Sequence, residues 1–259
     1  MLKYFVITLF LFVPSTYLKS QGFDWQWSAR CPINNPQNYY GINANYGFNY
    51  FIGSISFNEN NVSAPNFIDI NGNNFGIGIN YEHWGKYNRY AFYGTLRYNN
   101  LTLSSYTIDN VPLTDDIIAQ YKISLDYNFN LLTLHSGINY RILETHFLLG
   151  AGIGLGAIVN NVFYANEEIL GPAEVPPFPT NPPSYKREIT TGELKKINSF
   201  FVNTHIKIGY NLDIGKGSYI EPNLCFSIPL GSMFSTEKLS NYAISFGINY
   251  YTSLYFSNK

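Results

Sequence analysis

The sequence predicts an all-β protein, an eight-stranded antiparallel up-and-down transmembrane β-barrel. Three observations support this fold class. Apolar and polar residues alternate with period 2 in eight segments, which is typical of strands with two different faces. Only 13% of the 259 residues are charged, whereas 18% are aromatic. The connections between the segments alternate between short and long, as in outer-membrane barrels.

The first twenty residues are predicted to be an export signal. Lys3 supplies the positive charge, residues 4–13 form an apolar run, and Ser20 is a small residue at a suitable cleavage point. Residues 21–38 then form an irregular lead, residues 39–256 the barrel, and residues 257–259 a short tail. An uncleaved helical anchor is the alternative for the first segment.

Eight alternating segments follow the lead. In the last one, even-numbered positions from Tyr242 to Phe256 are mostly aromatic or aliphatic, whereas odd-numbered positions such as Ser245 and Asn249 are mostly small or polar. The apolar rows of the other seven segments begin near these residues: Ile42, Phe75, Tyr90, Leu132, Phe147, Phe200 and Ile220.

The connections indicate which end of the barrel faces outward. Short turns are predicted near 84–88, 143–144 and 212–217, and long connections near 54–73, 105–118, 160–197 and 231–240. Outer-membrane barrels have short periplasmic turns and longer extracellular loops. Near 99–101 and near 129–132, the apolar residues switch between even-numbered and odd-numbered positions. We predict a β-bulge at each place.

The charge content indicates which face meets lipid. A soluble barrel needs a charged outer face, but the polar rows here contain mainly Asn, Ser, Gly and Thr. We therefore expect the apolar rows to face lipid and the polar rows to be enclosed, which places the chain in the bacterial outer membrane. A soluble lipocalin-like ligand-binding barrel is the alternative. The net charge of -1 excludes binding of nucleic acid through phosphate neutralisation.

The enclosed charges are expected to pair, because a lone buried charge is costly. If the hairpin is centred on Ile214, Lys207 lies opposite Glu221 and His205 lies opposite Asn223. We predict a salt-bridged interior polar network that fills the barrel, with a proton or ion path as the alternative. Its members are Glu82, Arg97, Arg141, His205, Lys207 and Glu221.

No cofactor or metal site is predicted. The segment from Gly152 to Ala157 matches a loose dinucleotide fingerprint, but its glycines keep strict period 2 and are expected to make room for Tyr219 or Tyr251 instead. The four histidines, at positions 83, 135, 146 and 205, have no metal-ligand spacing. A barrel-embedded enzyme acting on envelope lipid is a second hypothesis, with histidines 135, 146 and 205 as its candidates. Cys31 and Cys225 are expected to be isolated thiols.

The longest connection contains a proline-rich segment at residues 171–185. Proline favours a stiff, extended conformation, so this segment is either a docking arm for an extracellular or envelope protein or a solvated loop. The residues predicted to contact such a partner are Pro176, Pro177, Phe178, Pro179 and Tyr185.

Several segments resemble a known group of proteins. An export signal leading to Gln21 is followed by a Gly- and Asn-rich first strand (residues 40–45), a glycine-alternating strand (residues 149–154) and a final aromatic strand. Together they resemble outer-membrane β-barrel proteins of Bacteroidota, including PorT-like families, and by architecture the OmpA/OmpX-type barrels. Many members of these families have no assigned activity, and the resemblance implies none for particular residues here. The function we expect is that of a non-enzymatic structural or surface-interaction protein, or an accessory to an envelope complex.

Overall fold

The computed structural model describes residues 37–53, 55–56, 66–67, 70–85, 89–113, 117–142, 145–172, 174–192, 198–215, 217–233 and 240–253. The predicted export signal, nearly all of the predicted lead with Cys31, and the tail lie outside these residues. Among the described residues, no helix is long and apolar enough to cross a membrane.

Twelve β-strands make up the described part of the chain. They are β1 (Asn38–Ile52), β2 (Ile55–Ser56), β3 (Asn66–Phe67), β4 (Ile70–Trp84), β5 (Tyr90–Pro112), β6 (Ile118–Arg141), β7 (Phe147–Gly171), β8 (Lys186–Gly192), β9 (Phe200–Tyr210), β10 (Leu212–Gly215), β11 (Ser218–Pro229) and β12 (Ser240–Thr252).

Eight of these strands form a closed ring. Each pairs antiparallel with the next in the order β1, β4, β5, β6, β7, β9 and β11, and β12 pairs with both β11 and β1. Closure leaves no edge within the membrane, where an unpaired backbone group costs several kcal/mol. The predicted eight-stranded barrel is therefore confirmed.

The two faces of the wall have the predicted chemistry. Outward residues such as Ile79 and Ile248 are each 61% exposed, whereas inward residues such as Asn80 and Asn249 are 5% and 6% exposed. An apolar exterior around a polar interior is suited to lipid and rules out the lipocalin-like alternative. The chain is an outer-membrane β-barrel.

Three strands extend well beyond the membrane at the end with the long connections. β5, β6 and β7 contain 23, 24 and 25 residues, whereas about 9–11 residues suffice to cross a bilayer. The connection predicted at 105–118 is therefore largely strand, and the one predicted at 160–197 contains the end of β7 and all of β8, which pairs with β7. We call the part of β5 to β8 beyond the lipid-facing rows the extracellular sheet.

A register shift lies beside one of the two predicted bulges, but the extra residue is in the neighbouring strand. Asn130 and Leu131 oppose Asn160 and Ile158, so the bulged residue is Val159 of β7, and β6 keeps the same inward row past 129–132. The bulge predicted near 99–101 is wrong, because β5 pairs with β4 and β6 through this region without a shift. Leu101 instead points inward on the same face as Asn99, because the interior itself becomes apolar at this height.

The interior consequently has three layers. At the extracellular end lies the upper apolar cluster, formed by Phe51, Phe67, Ile70, Leu101, Leu103, Leu125, Tyr127, Phe129, Leu131, Phe163, Ala165 and Met233. Near the short turns lies the lower aromatic cluster, formed by Tyr39, Trp84, Ala91, Leu148, Tyr219 and Tyr251. The polar rows fill the space between the two clusters.

Candidate functional site

The centre of the polar layer is an ion pair between β9 and β11. Lys207 Nζ lies 2.8 Å from Glu221 Oε1, and both residues are buried. Asn249 Nδ2 of β12 donates to the same oxygen at 3.1 Å. Lys207 Nζ also lies 4.6 Å from the ring centroid of Tyr93 on β5. The lysine thus connects strands on different sides of the barrel.

The register that brings this pair together differs from the predicted one. Lys207 is opposite Cys225, a free thiol, and His205 is opposite Ser227. The turn lies nearer Gly217, whose φ of 74° is the left-handed conformation that glycine favours. The pairing moves by an even number of residues, so each side chain keeps its predicted face.

A glycine allows the ion pair to form across this register. A Cβ built at Gly209 would lie 3.2 Å from side-chain atoms of Glu221. The Glu221 side chain therefore occupies space that a larger residue at position 209 would fill. Because Gly209 has no side chain, the Glu221 carboxylate can reach Lys207 although the two residues are not paired across the strands.

Neutral donors surround the second buried carboxylate. Glu82 is 0% exposed and accepts hydrogen bonds from Trp84 Nε1 at 2.9 Å, from Asn139 Nδ2 at 2.6 Å and from the Tyr219 hydroxyl. Arg141 lies over the Trp84 ring, 4.5 Å from its centroid. The structure thus places Glu82 and Arg141 in one aromatic environment at the boundary with the lower aromatic cluster.

Arg97 belongs to a ladder of amides nearer the extracellular end. Its Nε donates to Asn43 Oδ1 at 2.9 Å, and Asn43 Nδ2 donates to Asn80 Oδ1 at 2.6 Å. Asn99 Nδ2 donates to Thr133 Oγ1 at 2.8 Å in the same region. Amides both donate and accept, so this ladder crosses from strand to strand without adding charge.

The histidines do not form one group. His205 is hydrogen-bonded to the Tyr93 hydroxyl, and its ring centroid lies 5.0 Å from that of His135. His146 instead packs against Tyr210 near a short turn, and His83 contacts Asn38. The three histidines of the enzyme hypothesis are therefore not assembled together. Among the described residues, no group of three metal-binding side chains occurs.

The glycine row of β7 makes room for large side chains from its neighbours. A Cβ at Gly152 would lie 2.9 Å from the Tyr93 hydroxyl, and one at Gly156 would lie 2.0 Å from Phe201 Cζ. The row is a strand, which removes the dinucleotide interpretation, since that fingerprint must open a helix. The prediction of Tyr219 and Tyr251 as the neighbours of this row was wrong.

The proline-rich segment is folded back on itself. Phe178 pairs with Ser184 through backbone hydrogen bonds, and Val175 N donates to Pro172 O. Phe178 is 7% exposed in a small apolar cluster with Val175, Ala119 and Ile169. Phe178, which we predicted to contact a partner, thus packs within the protein, because it covers apolar surface of the extracellular sheet. Pro176, Pro179 and Tyr185 are exposed, and Pro177 is partly buried.

Sequence reasoning missed the two apolar clusters and the central position of Tyr93. The switch of apolar residues between even-numbered and odd-numbered positions near 99–101 and 129–132 indicated the upper apolar cluster. The same switch is also typical of a bulge, so the pattern was ambiguous. Tyr93 gave no signal, because its contacts lie across the barrel and depend on the missing side chains at Gly137 and Gly152.

The structure therefore defines an outer-membrane barrel with a filled interior. No protein-family model and no curated protein match the sequence. Among solved structures, Ail, the attachment invasion locus protein of Yersinia pestis, is 12% identical, with 82% of this chain and 99% of that chain covered and a TM-score of 0.30.

Two further solved structures show a similar level of likeness. Neisserial surface protein A is 10% identical, covering 82% of this chain and 95% of that chain, with a TM-score of 0.33. The outer membrane protease OmpT from Escherichia coli is 9% identical, covering 84% and 97%, with a TM-score of 0.32. Identities and scores this low carry no information about activity or partners.

Proposed function

We propose that the protein is a non-enzymatic outer-membrane barrel that anchors the extracellular sheet and presents it to a protein partner outside the membrane. The observation that carries this proposal is the length of β5, β6 and β7 beyond the lipid-facing rows. A barrel that only spans the membrane has no need of this additional sheet.

Among the described strands, the extracellular sheet ends in two open edges, β8 on one side and the upper part of β5 on the other, and we assign the docking surface to the β5 edge. β5 and β6 stay paired as far as Pro112 opposite Ile118, whereas the pairing of β4 with β5 ends at Asn71 and Ser104. Beyond Ser104, no described strand pairs with β5 on the β4 side. An open edge offers backbone donors and acceptors to an extended segment of another chain.

Apolar side chains are exposed next to this edge. Tyr106 and Ile108 of β5 are 63% and 47% exposed, and Ile118 at the start of β6 is 56% exposed. The outward row below them changes to Thr102 and Ser104, so these residues lie above the lipid and meet water. Exposed apolar patches in water mark interaction surfaces.

The filled interior supports a structural role for the barrel itself. The upper apolar cluster and the lower aromatic cluster lie at opposite ends of the polar layer. We therefore expect each of them to block the route along the barrel axis. The interior polar network then joins the strands and does not line a channel. We further propose that the protein is a barrel of the Bacteroidota type that acts at the cell surface or as an accessory to an envelope complex.

The docking surface is tested by site-specific photocrosslinking in intact source cells. A photoreactive phenylalanine analogue at position 106 or 108 is expected to give a discrete protein adduct. The matched control is position 230, because Leu230 is also apolar, 61% exposed and at the same end of the barrel, but follows β11. The proposal fails if positions 106 and 108 give no protein adduct, or if position 230 gives the same one.

A further inference from the structure

A groove of 570 Å³ lies on the outer wall of the barrel, near its extracellular end. Clefts of about 300–1,000 Å³ are the size that holds small ligands. The described residues that line the groove are Phe48, Asn49, Tyr50, Asn71, Gly72, Asn73, Ser104, Phe226, Tyr242, Ala243 and Ile244. None of them carries a charge.

The two sides of the groove differ in chemistry. On one side, β1, β11 and β12 provide rings and an aliphatic chain, with Tyr50 directly opposite Tyr242 and Phe48 opposite Ile244. On the other side, β4 and β5 provide the exposed polar side chains of Asn71, Asn73 and Ser104. The groove is therefore amphipathic, and the polar side offers both donors and acceptors.

The height of the groove places it at the lipid headgroups. Along the outward row of β4, Ile77 and Phe75 are followed by Asn73 and Asn71, so the wall changes from apolar to amide within the groove. Below the groove, the apolar rows continue down the barrel toward the other end of the membrane. A lipid bound here would meet the amides with its headgroup while its acyl chains followed the apolar rows.

From this geometry we infer that the groove binds the uncharged sugar headgroup of a glycolipid in the outer leaflet. A sugar ring has C–H faces that pack on aromatic rings and hydroxyl groups that hydrogen-bond to amides, which matches the two sides of the groove. A phosphate headgroup would need cations, and no described lining residue provides one.

The chain offers a matched pair of positions for the test. Asn73, Thr102 and Asn128 lie in one row across β4, β5 and β6, and both asparagines are exposed. They are outward amides in the same hydrogen-bonded row, but Asn128 does not belong to the described lining of the groove. Asn73→Ala therefore removes a groove contact, and Asn128→Ala is its control.

Native mass spectrometry of the full chain in a detergent without a sugar head measures the binding. Digalactosyl diacylglycerol is the probe, with phosphatidylglycerol of the same acyl chains and free maltose as the comparison ligands. We expect one retained glycolipid, with affinity reduced by about ten-fold in the double variant Asn71→Ala/Asn73→Ala, since two hydrogen bonds are lost. Asn128→Ala is expected to bind like the wild type.

Three results would overturn the inference. Equal binding of phosphatidylglycerol would show that the sugar is not recognised, and equally tight binding of maltose would show that a free saccharide is the ligand. Equal losses in Asn73→Ala and Asn128→Ala would show that the groove is not the site. Unboiled samples that shift on gels after heating confirm that each variant is folded.

Discussion

Replacing Lys207 by Met removes the ammonium group that contacts the Glu221 carboxylate at 2.8 Å. Glu221 is 0% exposed, and the hydrogen bond from Asn249 is neutral. The variant therefore leaves a buried negative charge without its cation. Methionine keeps most of the volume of lysine, so the packing against Tyr93 is largely preserved.

The expected loss of stability follows from the burial of the pair. Removing one partner of a buried ion pair costs about 3–5 kcal/mol, whereas replacing both partners by neutral residues costs much less. We expect Lys207→Met to lower the free energy of unfolding by about 3–5 kcal/mol. The double variant Lys207→Met/Glu221→Gln should recover at least about 2 kcal/mol of this loss.

Urea unfolding of the protein in lipid vesicles measures the difference. Tryptophan fluorescence, to which the buried Trp84 contributes, and gel mobility without boiling report the folded fraction. With a slope of about 2 kcal/mol/M, the single variant should shift the midpoint by about 1.5–2.5 M. The reasoning is refuted if Lys207→Met lies within about 1 kcal/mol of the wild type, or if the double variant loses as much as the single one.

Three further predictions concern the filled interior. Gly156→Ala is expected to cost about 1–3 kcal/mol, since its Cβ would lie 2.0 Å from Phe201 Cζ. Gly94→Ala, where a Cβ meets nothing within 4 Å, is the control in the same urea assay. Equal losses of unfolding free energy in the two glycine variants would show that the contact with Phe201 is not the cause. Phe129→Ala, at a ring that is 0% exposed, is expected to cost about 3–5 kcal/mol and more than Phe75→Ala, at a ring that is 55% exposed. The reverse order would show that the upper apolar cluster contributes little. In planar bilayers, the wild type is expected to show no steady conductance, because both ends of the polar layer are closed. A large, steady conductance would contradict the closed interior.

The barrel could be predicted from the sequence because each strand repeats the same two-faced pattern. On β12, for example, Ile244 and Ser245 face lipid and interior as their alternation indicates. The alternation does not say which solvent surrounds a strand at a given height. Leu101 follows the pattern of an inward residue above the membrane, where the outside is water and the inside is apolar.

The exact contacts of the site could not be predicted for a different reason. The partner of Lys207 depends on the register of β9 and β11, which is set by the turn near Gly217 and by the space over Gly209. The burial of Phe178 depends on contacts with Ala119 and Ile169, which are distant in sequence. Alternation in one strand contains none of this information.

The central claim is that the apolar rows contact lipid and that this contact ends where the amides begin. Nitroxide labels at single cysteines test it, in a background where Cys31 and Cys225 are serine and the protein is in vesicles. Labels at Phe246 and Ile248 should be accessible to oxygen and protected from a water-soluble nickel complex. A label at Asn128 should be accessible to nickel. Nickel access at the two β12 positions, or protection at Asn128, would contradict the claim.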